Sequence, residues 1–367
     1  MYENRDEPDE IAKKYSLQSN DKAIIRIASD KLKFRVMNHR ILGRTGLEVS
    51  ELALGGLFVS SHGSGYEQAE SAIRRALELG VNYIDTAPGY ANREEVLGKA
   101  FIALKSELDK PIILSSKLGG RPTPFEPQNA DGLRQSVDES LRLLGREQID
   151  ILMIHEPDRP GQYDWWTDHD NFDGPVLEVI DELKKSGKIK YSGLGGTTVY
   201  EMTRLIESGK FDVVLTAFNY SLLWREAERA VLPAAKAQNM GIVVGSPLQQ
   251  GALARRFDDE VNNGAHWLST PRRQQYKALY ALCDEIEMPI AELAIRFIIS
   301  NPDISTVLMG ARSPEEVEKN VESVFKGALD SEILERLNEI AAEVPFRPYE
   351  EPFSMQFGTS YHGPGTA

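Results

Sequence analysis

From Leu52 onward, short apolar runs alternate with longer segments whose apolar positions recur at helical spacing. Leu52-Ala53-Leu54 precedes a helix predicted near Gln68 to Leu79, and Tyr83-Ile84 one near Glu94 to Leu104. Ile112-Ile113-Leu114 leads to Gly132 to Leu144, and Ile149 to Ile154 leads, after a long loop, to Val176 to Lys185. Tyr191 to Leu194 is paired with Val199 to Ser208, and Val213 to Phe218 with Ala227 to Gln238. Gly241 to Val244 is followed by helical segments near Arg273 to Glu287 and Ala291 to Ser300, and Thr306-Val307-Leu308 by Pro314 to Val324. Ahead of these units, Arg40 to Val49 places two β-prone pieces around a Gly-containing turn, which predicts a hairpin able to plug one end of a barrel.

Strands separated by helices pair in parallel through right-handed crossovers, and eight β-then-α units suffice to close a ring. The predicted fold is therefore α/β, a (β/α)8 TIM barrel with an N-terminal β-hairpin and accessory helices. Its expected division is an extension over 1–36, the barrel over 37–345 and a tail over 346–367. A doubly wound open sheet is the competing topology. Its usual dinucleotide fingerprint is incomplete here, because Gly55-Gly56 runs into Leu57-Phe58-Val59 rather than a third glycine opening a helix.

Composition narrows the function classes. The chain has 367 residues, 41% hydrophobic and 27% charged, as ordinary globular proteins have. Its formal charge of −14 repels nucleic-acid phosphates and anionic membranes, and no Lys/Arg block offsets it. No apolar run is long enough for a membrane span. The mixed-charge start, MYENRDEPDEIAKKYSLQSND, lacks the apolar core of a secretory signal, so a cytoplasmic location is expected. The six histidines are scattered without paired-ligand spacing, so no metal site is expected. Cys283, the single cysteine, sits in an apolar-periodic run and reads as a small buried hydrophobe.

In a barrel, the C-terminal strand ends share one mouth, where function sits. Asp85 ends the second barrel strand, Tyr90 follows in Asp85-Thr86-Ala87-Pro88-Gly89-Tyr90, Lys117 ends the third and His155 the fourth. Each alone has a structural explanation as a turn cap, packing or a snorkelling side chain. Together they place four ionisable groups on neighbouring strands at one rim, the usual construction of a proton-transfer site. A phenol with a pKa near ~10 becomes useful at neutral pH beside an ammonium. Lys117 can supply that charge to Tyr90, Asp85 can orient Lys117, and His155 can hydrogen-bond a carbonyl oxygen. None of the four carries hydride, so a cofactor has to.

The residues from about Arg40 to Val324 resemble the aldo-keto reductase family. The resemblance runs through the Asp85 to Tyr90 segment, Ser116-Lys117, Ile154-His155, Gly245-Ser246-Pro247-Leu248 and Gly310-Ala311-Arg312-Ser313-Pro314. It implies a catalytic tetrad of Tyr90, Lys117, Asp85 and His155, with NAD or NADP extended across the mouth. The family usually has Ser-Asn after the fifth strand and a Gln on the sixth; this chain has Gly195-Gly196 and Ala217. By the same resemblance Tyr220 stacks on the nicotinamide, Ser246, Leu248 and Gly251 lie along the pyrophosphate, Arg312, Ser313, Glu316 and Asn320 lie at the adenosine end, and Gly195, Gly196 and Gly310 also border the cofactor. Arg312 suits a 2′-phosphate and Glu316 a free 2′-hydroxyl, which leaves NAD against NADP open. The departures are similar to the branch that oxidises aldoses at C1, represented by D-threo-aldose and L-galactose dehydrogenases, and incline the expectation toward NAD-linked sugar oxidation.

Phe58, Trp165 and Trp166 are the candidate substrate contacts; the stretch Tyr163 to Phe172 suits a sugar ring or an apolar carbonyl, or else packs on its own barrel. Two other functions remain in view. Lys117 could act as a Schiff-base nucleophile in an aldolase-type barrel. Alternatively, a barrel of this family could serve as a nucleotide-sensing regulatory subunit with little turnover.

Overall fold

The computed structural model describes residues 36–56, 65–89, 92–105, 111–265 and 268–345. Among them, eight parallel strands form a closed ring: β3 (Leu52–Gly55), β4 (Tyr83–Asp85), β5 (Ile113–Leu118), β6 (Ile149–His155), β7 (Ile189–Gly196), β8 (Val213–Ala217), β9 (Gly241–Gly245) and β10 (Thr306–Met309). β10 pairs with both β3 and β9, which closes the ring and excludes the open doubly wound sheet. The expected hairpin is present as β1 (His39–Ile41) and β2 (Glu48–Ser50), antiparallel to each other and separate from the ring.

Strand alternation divides the apolar residues into two layers. Ala53, Tyr83, Ile113, Ile151, Met153, Val213, Leu215, Val243 and Leu308 point inward and fill the ring; Leu42 and Val49 of the hairpin region join them, both fully buried. The larger outer cluster lies between the strands and the helices. Arg40 fixes the hairpin in place, donating to the carbonyls of Ile299 (2.6 Å), Asn301 (2.9 Å) and Ile304 (2.7 Å) and pairing with Glu51.

The surrounding helices are α1 (Gly65–Glu78), α2 (Arg93–Leu104), α3 (Ala130–Leu144), α4 (Pro175–Lys185), α5 (Tyr200–Glu207), α6 (Val231–Ala237), α7 (Asp258–Asn263), α8 (Thr270–Glu285), α9 (Ile290–Ile299), α10 (Pro314–Phe325) and α11 (Ser331–Glu343). Two sequence expectations change here. The helix expected over Ala227 to Gln238 is split into a 3-10 turn, Glu226–Arg229, and α6, because Pro233 is tolerated in a first turn but not deep inside a helix. α11 lies beyond the predicted repeat; Gln275 of α8 donates to its Ile340 carbonyl at 2.8 Å. No helix among the described residues is long and apolar enough to cross a membrane.

Candidate active site

Inward alternation brings the end of each strand to one mouth, and two contrasting arcs result. On one side Asp85 (β4), Lys117 (β5) and His155 (β6) occupy neighbouring strand ends. Lys117 Nζ donates to Asp85 Oδ2 at 2.6 Å and to the Thr86 carbonyl at 2.9 Å. Asp85 Oδ1 accepts a hydrogen bond from Ser115 Oγ. Both members of the ion pair are almost wholly buried, so this charge pair depends on those hydrogen bonds. Tyr83 lies one inward rung below Asp85, fully buried, its phenol pushed well above the usual range by burial and by the Asp85 charge.

His155 is positioned from behind. Trp165 Nε1 donates to its carbonyl at 3.0 Å, and an ideal Cβ on Gly119 would lie 3.1 Å from the His155 Cβ. Its ring is enclosed even though the residue keeps an edge at the mouth, and burial together with the Lys117 charge pulls the imidazole down to about 3. The fold therefore favours the neutral imidazole, which can donate or accept a hydrogen bond.

Tyr90 lies outside the described residues, as does Phe58. The flanks of Tyr90 are nevertheless fixed. Gly89 packs on Gly120, whose ideal Cβ would lie 3.2 Å from the Gly89 Cα. On the other side, buried Glu94 accepts from Ser116 Oγ (2.7 Å), Ser140 Oγ (3.1 Å) and Arg121, tying the start of α2 to the loop after β5.

Among the described residues, the strand ends of the opposite arc carry almost no side chains. Gly55, Gly195, Ala217 and Gly245 hold the inward mouth positions of β3, β7, β8 and β9. An ideal Cβ on Gly245 would approach Leu215 Cδ2 to 3.1 Å and the Ala217 Cβ to 3.3 Å; one on Gly195 would meet the Lys117 stem at 3.5 Å. These strand ends thus present a strip free of side chains of their own next to the charged arc. Around it, Glu156 (φ 51°), Phe218 (67°), Ser246 (52°), Gln249 (47°) and Gln250 (54°) all adopt left-handed backbone, strain of the sort that gathers at functional sites. Gln249 Nε2 donates to the Phe218 carbonyl (2.9 Å) and Ser221 Oγ (3.0 Å), while its buried Oε1 has no partner. An orphan amide oxygen beside a bare floor suits a ligand with an N–H donor.

Other predicted residues fall in different places. Ser246, Leu248 and Gly251 lie in the loop after β9, and Gly310 just beyond β10. Ser313 caps α10, accepting from Glu316 N at 3.4 Å, and Glu316 Oε2 accepts from Arg312 N at 2.8 Å, a capping arrangement that already engages the carboxylate considered for the ribose. Asn320 Nδ2 lies 3.6 Å from Met309 Sδ. Gly196 points away from the mouth, where Asp158 Oδ1 would lie 2.6 Å from an added Cβ. Three aromatic expectations need correction. Tyr220 is in the outer layer with its ring 5.1 Å from that of Phe297 and its phenol pushed up to about 12 by burial, so it offers no free face for stacking. Trp165 and Trp166 are 0% and 2% exposed; they hold the loop after β6 through the His155 and Pro157 carbonyls rather than facing a substrate.

Sequence reasoning missed Ser115, which the two-residue strand period places on the face of Lys117, and it missed the Glu156–Arg159 pair beside His155 (3.0 Å). Gln249 had no such signal.

Residues 51–342 match the family described as Aldo/keto reductase family. The chain belongs to it. Among relatives, this aldo/keto reductase is 30% identical over 295 residues to L-galactose dehydrogenase of Arabidopsis thaliana, covering 78% of this chain and 87% of that one. It is 29% identical over 325 residues to pyridoxal 4-dehydrogenase of Microbacterium luteolum, covering 77% and 91%. It is also 28% identical over 334 residues to a putative voltage-gated potassium channel subunit beta of Schizosaccharomyces pombe, covering 83% and 94%. The solved holo form of an aldo-keto reductase from Bacillus halodurans superposes with a TM-score of 0.67 at 26% identity, over 86% of this chain and all of that one. The relatives' names divide among different substrates, so family membership gives an NAD(P)-dependent oxidoreductase of carbonyl compounds and no finer branch.

Proposed function

We propose that this aldo/keto reductase interconverts an alcohol and a carbonyl, with Tyr90 as the general acid and base and with an aldose oxidised at C1 as its substrate class. The reading rests on one observation above all: Asp85, Lys117 and His155 converge at the mouth with Lys117 held as an ammonium between two oxygen acceptors. An ammonium so engaged has no lone pair to offer a carbonyl, which counts against the Schiff-base alternative.

The dinucleotide, when bound, supplies or accepts the hydride. Gly195, Ala217 and Gly245 leave room for its nicotinamide, Gln249 Oε1 can accept from the carboxamide, and the loop of Ser246, Leu248 and Gly251 offers backbone donors toward phosphates. Arg312 and Ser313 would bound the adenosine end. With Glu316 engaged at the helix start, the NAD-linked preference is carried by the resemblance to aldose dehydrogenases. In the reduction direction Tyr90 gives its proton to the carbonyl oxygen as charge builds there; in oxidation its phenolate takes the alcohol proton. The Lys117 charge favours that phenolate, and neutral His155 orients the reacting oxygen.

Nicotinamide absorbance with a panel of aldoses and aldehydes, for the wild type and Tyr90→Phe, tests this. Loss of about 10²–10⁴ in turnover on removing the hydroxyl is expected, with NAD(H) binding retained. Unchanged turnover would end the Tyr90 assignment. Tight nucleotide binding without turnover on any substrate would favour the regulatory reading, which the similarity to a putative channel subunit supports.

A further inference from the structure

Beneath the Asp85–Lys117 pair lies a part of the barrel that the proposed chemistry has not used. Ser115 and Tyr83 occupy the inward positions immediately below Lys117 and Asp85 on β5 and β4, and neither has any solvent exposure. Ser115 Oγ donates to Asp85 Oδ1 while Lys117 Nζ donates to Oδ2, so the two carboxylate oxygens are held from opposite sides. A carboxylate 3% exposed cannot turn to water for a substitute donor.

We propose that Ser115 is a positioning residue of this site: its hydroxyl fixes Asp85 Oδ1, so that Oδ2 stays on Lys117 and the ammonium charge stays at the mouth. The inference rests on the hydride-transfer reading above. Among the described residues, three titratable groups act on the pair. Tyr83 faces it from β4, and His155 and Glu156 act on Lys117 from the end of β6. Inward Ala53 and Gly55 of β3 bring no charge. Without the Ser115 hydroxyl, Asp85 loses the donor that holds Oδ1, and its carboxylate is free to rotate toward Lys117, toward the Tyr83 phenol, or to take the Lys117 proton. Each response leaves the ammonium displaced, more fully screened by the carboxylate, or neutralised, and so reduces the positive field that favours phenolate. The oxidation rate, which climbs as the phenol ionises, then begins its climb at higher pH.

The test compares pH profiles of kcat and kcat/KM for the wild type, Ser115→Ala, Ser115→Thr and Tyr90→Phe, with nucleotide affinity from NAD(P)H fluorescence and melting temperatures alongside. For Ser115→Ala the expected result is a roughly tenfold lower kcat and an acid limb of the oxidation profile moved up by about one pH unit, with nucleotide Kd unchanged. Ser115→Thr, which keeps the hydroxyl, should restore the limb. A merely structural role would lower the melting temperature without moving the limb. A superimposable Ser115→Ala profile, or a limb that Ser115→Thr fails to restore, overturns the proposal. If Ser115→Ala does not fold, Ser115→Cys replaces it: a weaker donor should move the limb the same way, and an unmoved limb is the contrary result. Wild-type turnover that is lost in Tyr90→Phe but untouched by Ser115→Ala defeats this inference alone, whereas absence of wild-type turnover defeats the hydride-transfer reading and this inference with it.

Discussion

A neutral histidine has consequences well outside catalysis. His155 binds a proton in the folded protein only near pH 3, whereas in the unfolded chain it does so near ~6.5. Between those values the unfolded state holds more protons, so stability rises with pH through the window and is lost as pH falls below about 6.5. Urea unfolding between about pH 6 and pH 4 should show the wild type losing up to about 1.4 kcal/mol per pH unit more than His155→Gln. Parallel curves for the two proteins would mean that the imidazole charges within the fold. The positions of Asp85, Lys117 and His155 were legible because a strand end in a barrel has only one destination. Those of Trp165, Trp166 and Tyr220 were not, since an aromatic beside a strand carries the same signal whether it lines a mouth or packs behind it. Ser115 shows the opposite failure: the strand period placed it, but a lone serine suggested no role.

At the scale of the element, hydrophobic period predicted nearly every strand and helix of the barrel, because each strand is a short apolar run and each outer helix has one apolar face. What it could not supply was the reason for particular small residues. Gly98 lies in the middle of α2, where glycine is intrinsically worse than alanine by about 1 kcal/mol. The structure explains it: an ideal Cβ there would lie 1.9 Å from the Leu143 carbonyl oxygen near the end of α3, so the two helices meet backbone to side-chain-free backbone. Gly98→Ala should therefore destabilise the protein by about 3 kcal/mol or more despite its better helix propensity, read as a lower denaturant midpoint. A stabilised variant would show that α2 and α3 can separate at little cost. Gly245 answers to a different constraint, since its added Cβ would have only to shift Leu215 and Ala217 by a few tenths of an ångström. Gly245→Leu should fold, with a melting temperature within a few degrees of the wild type, yet weaken NAD(P)H binding tenfold or more by covering the bare floor; unchanged fluorescence titration would remove that floor from the nucleotide site.

The whole molecule is a ring with unlike ends. At the mouth, charge, strained backbone and bare glycine are gathered; at the other end the hairpin inserts Leu42 and Val49 into the ring. The hairpin itself was legible from its turn, and its function as a plug followed from the barrel's need to fill one end. Its attachment was not, because Arg40 finds its partners some 260 residues away in sequence, at Ile299, Asn301 and Ile304. Ile299 ends α9, where helix geometry leaves carbonyls without intrahelical donors, and Asn301 and Ile304 belong to the turn that leads to β10. One guanidinium thus donates to all three carbonyls and to Glu51 as well, a task that needs Arg's several fixed donors and that a single ammonium cannot reproduce. Arg40→Ala would take that donor from the Ile299 and Ile304 oxygens, leave Asn301 O only the Ile304 N–H, and leave Glu51 without its cation, at a cost of about 2–4 kcal/mol. Arg40→Lys should recover only part of it. Because the loss falls at the closed end, kcat and nucleotide affinity of the folded fraction should stay near the wild-type values while the denaturant midpoint drops. A fall in kcat without loss of stability would instead mean that the plug governs the geometry of the mouth through the packed interior.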